Sequence, residues 1–529
     1  MRLWNSTQRR VEASEEQADR PQLVPPHQTA NARSRRTLWI FVAAGCVAAL
    51  IGVFGIVLTL KWPFTPTKVA EDLAEASSSK VEIQNFRAIY FPHPGGVAEV
   101  VTFRHDGIAT PLITIQRLTI RGSYLGLLTK HIPVLRADGM RVVLPPFGTN
   151  GDWSNASSDI VIDEFIADKS VLVVPSSEAG KKPLEFQVHE FSIHGLGSHQ
   201  PMAYHTALTN PEPPGEIRSD GRIGPFQQGS MERAPVSGAY TFDKADLGVF
   251  DGIAGTLSSQ GSFHGTLHEL NVEGATDTPN FSVTRSGHRH ALQTNFAALV
   301  NATNGDVFLR GVNARLDHTM LAAQGSVAGR KGQNGKTTSV EFVVRGGHLQ
   351  DLMLLFVREP KSPLNGEISF HALTQVPPGD KPFLEKVRLQ GVFGIDAAHF
   401  SNPRTQQSMS KLSKSAQGHP DDNDPTRVLS GLRGHLDVHD GVANFTDLFF
   451  HVPGADVNMH GTFGLMNERI NLHGTMRMQA KPSQATTGVK SFLMKVLDPF
   501  TNKDRGRVPI PVSITGTYAH PEYHAGTPK

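Results

Sequence analysis

Residues 459–478, MHGTFGLMNERINLHGTMRM, contain the pattern that decides the fold. Apolar residues or glycine occupy every second position from 459 to 465 and again from 472 to 478, and mostly polar residues lie between them. Because successive side chains of a β-strand point to opposite faces, this period of two predicts two strands, each with an apolar and a polar face. Antiparallel sheets typically show this alternation, since one face is covered and the other stays in water.

The same pattern, with a glycine on the apolar side, recurs at 236–242, 364–370, 389–395, 432–438 and 514–518. Glycine in a strand is unfavourable by roughly 0.5–1 kcal/mol relative to alanine, so its repeated use needs a reason. We expect the sheet to bend sharply at these glycines, as sheets do at barrel corners and where they curl. The predicted fold class is mainly β, an antiparallel sheet with a few short helices.

Two arrangements would cover the apolar face. The sheet closes over its own side chains as a sandwich or barrel, which is the default expectation, or it curls into an open groove whose lining contacts a ligand. Aromatic residues make up only 7% of the chain, and an aliphatic and Phe lining suits acyl chains better than bases or sugars. The predicted lining residues are Val236, Tyr240, Phe242, Ile368, Phe370, Leu389, Phe393, Ile395, Leu436, Val438, Met459, Phe463, Leu472, Met476 and Ile514.

The segment 38–60, LWIFVAAGCVAALIGVFGIVLTL, carries no charge. A helix of this length rises about 34 Å, enough for a hydrocarbon layer of about 30 Å. Arg33, Arg35 and Arg36 precede it, so the positive-inside rule predicts a single-pass helix with a cytoplasmic N-terminus. A cleaved signal peptide is the alternative, but the apolar run is long and no small-residue cleavage site is obvious.

Composition and motifs exclude several function classes. The 529 residues carry 51 Lys+Arg against 49 Asp+Glu, a balance that argues against a nucleic-acid binder, and the single Cys46 excludes a disulfide scaffold or a multi-Cys zinc site. The segment 329–337 has one residue too many for a phosphate-binding loop, and His189 and His194 are five residues apart instead of the four of a zincin helix. Most of the 24 histidines are expected singly on the polar face. The sequence predicts no enzyme, no metal site and no cofactor.

Two stretches resemble the AsmA-like family of envelope proteins. The first contains KVEIQNFRAIYFPHPGGVAEVVTF (80–103), ITIQRLTIRGSYLGLL (113–128) and MRVVLPPFG (140–148); the second contains 431–465, TTGVKSFLMKVLDPF (486–500) and RVPIPVSITGTYAHPEY (507–523). The resemblance implies a long, curled β groove with an apolar interior, anchored in the inner membrane and reaching into the periplasm. It also implies phospholipid transport and outer-membrane biogenesis, without catalytic residues, and it shifts our expectation from a closed core to an open groove.

The predicted organisation has six parts. They are a disordered cytoplasmic tail (1–36), the membrane helix (37–62), an N-terminal AsmA-like module (63–180), a glycine-punctuated β region (181–400), a helix and loop insertion (401–430) and an AsmA-like C-terminal region (431–529). Short helices are expected at 67–77, in the first half of 401–427 and at 488–497.

Two functions remain open from sequence. The first is a membrane-anchored periplasmic protein that holds phospholipid or other acyl lipid in its groove. The second is a non-enzymatic envelope scaffold or assembly factor that binds other envelope proteins, or a second copy, through sheet edges.

Overall fold

The alternating segments form β-strands in the computed structural model, which describes residues 62–105, 110–144, 160–175, 182–197, 200–225, 233–330, 335–417, 430–478, 509–517 and 520–525. Of these residues, 67% lie in strands, and the strands belong to one 25-stranded sheet. The chain is therefore mainly β, as predicted.

The strands have the following bounds: β1 Lys80–Ile89, β2 Gly95–Arg104, β3 Ile113–Arg121, β4 His131–Val143, β5 Val161–Asp168, β6 Ser170–Val174, β7 Leu184–Leu196, β8 Met202–Pro211, β9 Pro214–Ile223, β10 Pro235–Asp246, β11 Ile253–Ala254, β12 Thr256–Thr266, β13 Leu270–Val283, β14 His290–Asn301, β15 Asp306–Leu316, β16 Thr319–Gly329, β17 Lys336–His348, β18 Leu364–Val376, β19 Arg388–Phe400, β20 Ser430–His439, β21 Val442–Val452, β22 Ala455–Gly464, β23 Arg469–Met478, β24 Ile510–Thr517 and β25 Pro521–Ala525.

Most of the sheet is an antiparallel meander. Each strand pairs with the next from β1 to β4, from β7 to β10 and from β12 to β25, and β10 pairs with β12. Neighbours along the chain are thus neighbours in space, which keeps the faces of successive strands in phase.

The prediction of a wholly antiparallel sheet is wrong at β4. The first half of β4 pairs in parallel with β5 and its second half in parallel with β6, and both β5 and β6 then pair antiparallel with β7. Lys169, with a left-handed φ of 50°, separates β5 from β6. A parallel pair requires the chain to return to the start of the first strand between the end of β4 at Val143 and the start of β5 at Val161.

The helices are short: α1 Pro66–Ser77, α2 Gly126–Thr129, α3 Leu349–Met353, α4 Phe383–Lys386 and α5 Pro403–Gln417. The helices expected at 67–77 and in the first half of 401–427 are confirmed by α1 and α5. None of the described helices combines the length and the apolar character needed to cross a membrane. The tail 1–36, the predicted membrane helix except Trp62, and the predicted helix 488–497 lie outside the described residues.

Local sequence accounts for α1. Thr65 caps its N-terminus by accepting a hydrogen bond from the Lys68 backbone N–H (3.2 Å), and proline occupies the first helical position. Ser78 ends the helix in the left-handed conformation. Val69 is buried in this helix, which contacts β1, whereas Ala76, seven residues later and so on the same helix face, is exposed.

Candidate functional site

One face of the sheet carries a continuous row of apolar side chains and glycines. In antiparallel strands, residues directly opposite each other project from the same face, so the register traces the row from strand to strand. The row that starts at Tyr240 in β10 continues through Gly261, Gly274, Phe296, Val312, Ala323, Phe342, Ala372, Gly391, Leu436, Phe445, Gly461, Leu472 and Ile514. We call the face that contains this row the apolar face.

All fifteen predicted lining residues lie on the apolar face. Each belongs to the row itself or lies an even number of residues from a member of it, without an intervening bulge. They differ in burial. The buried ones are Val236, Ile368, Ile395, Val438, Met459 and Met476. The others keep part of their surface in solvent: Tyr240, Phe242, Phe370, Leu389, Phe393, Leu436, Phe463, Leu472 and Ile514.

Two buried clusters cover parts of this face. Helix α3 contributes Leu349 to one of them, together with Val344, Ile368, Ile395 and Ala398, against which Phe370 and Phe393 pack while remaining half-buried. Helix α5 contributes Ala416 to the other, which contains Val452, Ala455, Val457, Met459, Met476, Met478 and Ile510. Between such clusters the apolar face is lined by side chains that are only partly covered.

The glycines of the apolar face have a more specific role than the predicted bend. A Cβ on Gly474 would lie 1.9 Å from the carbonyl oxygen of Asn458, and one on Gly325 would lie 2.1 Å from that of Ser339. A Cβ on Gly274 would also lie 2.8 Å from Tyr240 Oη. At these positions a neighbouring strand or a ring occupies the space of the missing side chain, which only glycine permits.

Hydroxyl groups also lie on the apolar face between β8 and β12. Tyr204 Oη lies 3.1 Å from Ser219 Oγ, and Tyr240 Oη lies 3.1 Å from Ser259 Oγ, while Ser219 Oγ also donates to a backbone carbonyl. Burial raises the pKa of Tyr204 above 10.0, against the opposing effect of the Ser219 hydrogen bond. The Tyr204 hydroxyl therefore stays neutral at physiological pH, and the hydroxyl groups of Tyr204 and Tyr240 both have partners within the face.

The opposite face is polar and carries histidine–carboxylate pairs across neighbouring strands. His371 Nε2 lies 2.6 Å from Glu341 Oε1, and His435 Nδ1 lies 2.6 Å from Asp447 Oδ1. Hydrogen bonds from Gln324 and then from His371 hold the pKa of Glu341 below its ordinary value of 4.5. These pairs agree with the predicted polar-face position of most histidines.

The shift at Glu341 predicts a pH dependence. Because the folded-state pKa is lowered, the stabilisation is present above pH 4.5, the unfolded value, and is lost as the pH falls from 4.5 through the folded value. We expect a Glu341→Gln variant to show a shallower loss of thermal stability than the wild-type chain below pH 4.5. Melting temperatures at a series of pH values measure this, and parallel curves for the two proteins would contradict it.

Two residues near the predicted motifs differ from expectation. His290 is buried instead of lying on the polar face, with its Nδ1 2.6 Å from Asp317 Oδ2. Strict alternation along β7 would put Glu190 on the same face as Phe186 and Val188, but a bulge after Val188 places Glu190 on the polar face and Phe191 and Ile193 on the apolar face. His189 and His194 both lie in strand β7 instead of a helix, Gly329 ends β16 and Lys336 begins β17.

Comparison of the chain with protein-family models, with curated proteins and with solved structures gives no match in any of the three. The resemblance to the AsmA-like family therefore stays a prediction from the sequence.

Proposed function

We propose that this chain is a non-enzymatic lipid-binding protein that holds acyl chains along the apolar face of its sheet and contributes to phospholipid transport in outer-membrane biogenesis. The observation that carries the proposal is the unbroken apolar row from β10 to β24, most of which is only partly covered by the protein itself. A face of this kind in water favours an apolar partner.

The chemistry of the row suits an acyl chain. Its members are aliphatic and phenylalanine side chains and Tyr240, with glycines between them, and none of them is charged. Each methylene that an acyl chain buries on such a surface contributes about 0.8 kcal/mol. A long chain would be held too tightly for rapid release at one point, so a continuous row that allows sliding supports transport better than an isolated pocket.

The close approaches at the glycines support a sheet that curls around the lipid. Strand bulges also interrupt the ladders between Phe445 and Leu448, between Val344 and Gly347 and between Ile395 and Ala398. Bulges and inward glycines are the features that bend sheets. They favour the groove implied by the AsmA-like resemblance over a flat sheet.

A surface patch at the start of the sheet supports attachment to a membrane. We call the tip of the β1–β2 hairpin and the loop after β3 the aromatic patch. It exposes Tyr90, Phe91 (83% exposed), Tyr124 and Leu125 (77% exposed), and Tyr124 Oη donates to the Tyr90 carbonyl at 2.6 Å.

The charge and the position of the aromatic patch both suit an anionic bilayer. The segments 89–95 and 121–130 contain His93, Arg121 and Lys130 and no acidic residue. Gly122 lies in the loop after β3, and the Phe64 ring lies beside it. Phe64 follows the apolar run 38–60 by only four residues. Aromatic and basic side chains favour the headgroup region. We therefore propose an inner-membrane, single-pass protein whose sheet starts at the periplasmic membrane surface.

The patch predicts which residues touch lipid. The full chain carrying Cys46→Ser is labelled with the fluorophore NBD at Phe91→Cys or Leu125→Cys and reconstituted in phosphatidylethanolamine–phosphatidylglycerol vesicles with a headgroup nitroxide lipid. We expect strong quenching at both positions and little at the control Phe356→Cys, an exposed residue (55%) after α3. Equal quenching at 91, 125 and 356 would contradict the orientation.

The proposed function is tested by extracting the purified full chain with organic solvent and analysing the extract by mass spectrometry. We expect phospholipid to remain bound in a fixed ratio to protein after the protein is exchanged into a detergent that does not resemble a phospholipid. Protein free of lipid, together with stable cross-linked protein partners, would favour the scaffold function instead. Strand β1 pairs only with β2 among the described strands, and this position at the edge of the sheet is the observation in favour of that alternative.

A further inference from the structure

We propose that His318, His348 and Asp351 form a binding site for a divalent transition-metal ion of the zinc class. Each of the three side chains offers one ligand atom, and these atoms all lie within 4.8 Å of one another. Two imidazole nitrogens and one carboxylate oxygen are a donor set that zinc takes in proteins, with a fourth position left for water or a ligand.

Three separate elements bring these residues together. His318 lies in the turn between β15 and β16, His348 is the last residue of β17, and Asp351 lies in α3. A whole strand separates the two histidines in the sequence, so no spacing rule for metal motifs detects the site. Only the pairing of β16 with β17 and the start of α3 place the three side chains side by side.

The carboxylate is held in place before any ion arrives. Asp351 is buried in the protein, and its Oδ2 accepts hydrogen bonds from the His318 backbone N–H (3.0 Å) and from Thr319 Oγ1 (2.9 Å). The same Thr319 hydroxyl accepts a hydrogen bond from the His348 backbone N–H (2.9 Å), and Thr319 itself is fully buried. Thr319 thus links the His348 backbone to the Asp351 carboxylate through hydrogen bonds. Hydrogen bonds to the ligand residues of a metal site orient those ligands.

The two imidazole rings are free to close on an ion. Both histidines are exposed, and their ring centroids lie 5.7 Å apart with an interplanar angle of 29°. His318 Nδ1 lies 3.9 Å from Asp351 Oδ2. Tetrahedral zinc with bonds of about 2.0–2.1 Å needs ligand atoms about 3.3 Å apart, a distance that small rotations of two exposed rings reach.

The charge of the site also favours a cation. Asp351 is a buried carboxylate, and within the described residues its only ion-pair partner is His318, with no lysine or arginine in contact. Buried carboxylates are normally paired with a cation or coordinate a metal. The other histidine–carboxylate pairs, such as His371 with Glu341, lack the second imidazole and form no such trio in the described part of the chain.

The proposal is tested with the full chain in detergent, stripped of metal by a chelator and titrated with Zn²⁺ alone by calorimetry. We expect the wild-type chain to bind Zn²⁺ with a tight phase of one ion per chain. Affinity in this phase should fall at least about tenfold in His318→Ala and in His348→Ala, and it should be unchanged in the control His371→Ala. Both variants replace exposed side chains, and circular dichroism reports whether the sheet is intact.

A second readout identifies the ligands. Co²⁺ in place of Zn²⁺ gives a visible absorption spectrum that depends on coordination number, and this spectrum should change in His348→Ala and not in His371→Ala. A tight phase that is absent from the wild-type chain, or that survives in both His318→Ala and His348→Ala, would overturn the proposal.

Discussion

Replacing Gly474 by alanine is expected to destabilise the sheet by about 1–3 kcal/mol, the range for forcing a side chain into filled space. The new Cβ would lie 1.9 Å from the Asn458 carbonyl oxygen and 2.7 Å from Met459 Cα. Both atoms belong to the backbone of the paired strand β22, so neither moves without disturbing the ladder. Thermal unfolding of the purified full chain, followed by circular dichroism at the strand signal, measures the loss.

Gly394→Ala is the matched control. Gly394 also lies inside a strand, β19, but a Cβ there would meet no atom within 4 Å, and its φ is not in the left-handed region. We expect the control to be neutral or slightly stabilising, because alanine restricts the unfolded chain more than glycine does. Equal destabilisation by the two substitutions would contradict the explanation that the apolar face needs glycine where the neighbouring strand leaves no space for a Cβ.

The second large effect is expected from a charge on the apolar face. Phe393→Glu places a carboxylate beside Phe370 and Phe445, where an acyl chain would otherwise lie. A desolvated charge without a partner costs several kcal/mol, so we expect bound phospholipid to fall by at least about tenfold. Mass spectrometry of lipid extracted from equal amounts of folded protein measures the change.

The neighbouring residue supplies the control. Val392 precedes Phe393 in β19, projects from the polar face and is 42% exposed. Val392→Glu adds the same charge to the same strand and should leave the lipid content unchanged. A comparable lipid loss in both variants would contradict a role for the apolar face. Phe393→Ser changes the same residue without adding a charge, and this variant separates a loss of lipid binding from misfolding.

The sequence predicts the strands and their faces well because burial on one face acts at every second residue. The alternation at 236–242, 389–395 and 459–465 directly indicates which residues face the covered side of the sheet. The strand register then places all fifteen predicted lining residues on one face. Helix α1 is equally local, since a capping threonine and a proline mark its start.

The errors arise where distant parts of the chain interact. The parallel pairing of β5 and β6 with β4 depends on a crossover that has no signature in the strands themselves. A single bulged residue reverses the face of Glu190, and a carboxylate on the turn after β15 stabilises His290 in the interior. The trio of His318, His348 and Asp351 exists only because strands pair, so its members look in the sequence like isolated polar residues.

Site-specific photo-crosslinking tests the central claim most directly. A photoreactive phenylalanine analogue is introduced at Phe370, on the apolar face of β18, or at Leu373, which is 47% exposed on the polar face of the same strand. The full chain is irradiated in the cells that express it, and lipid adducts are identified by mass spectrometry. We predict phospholipid adducts at 370 and none at 373. Adducts at neither position, or equally at both, would contradict the proposal that the apolar face holds lipid.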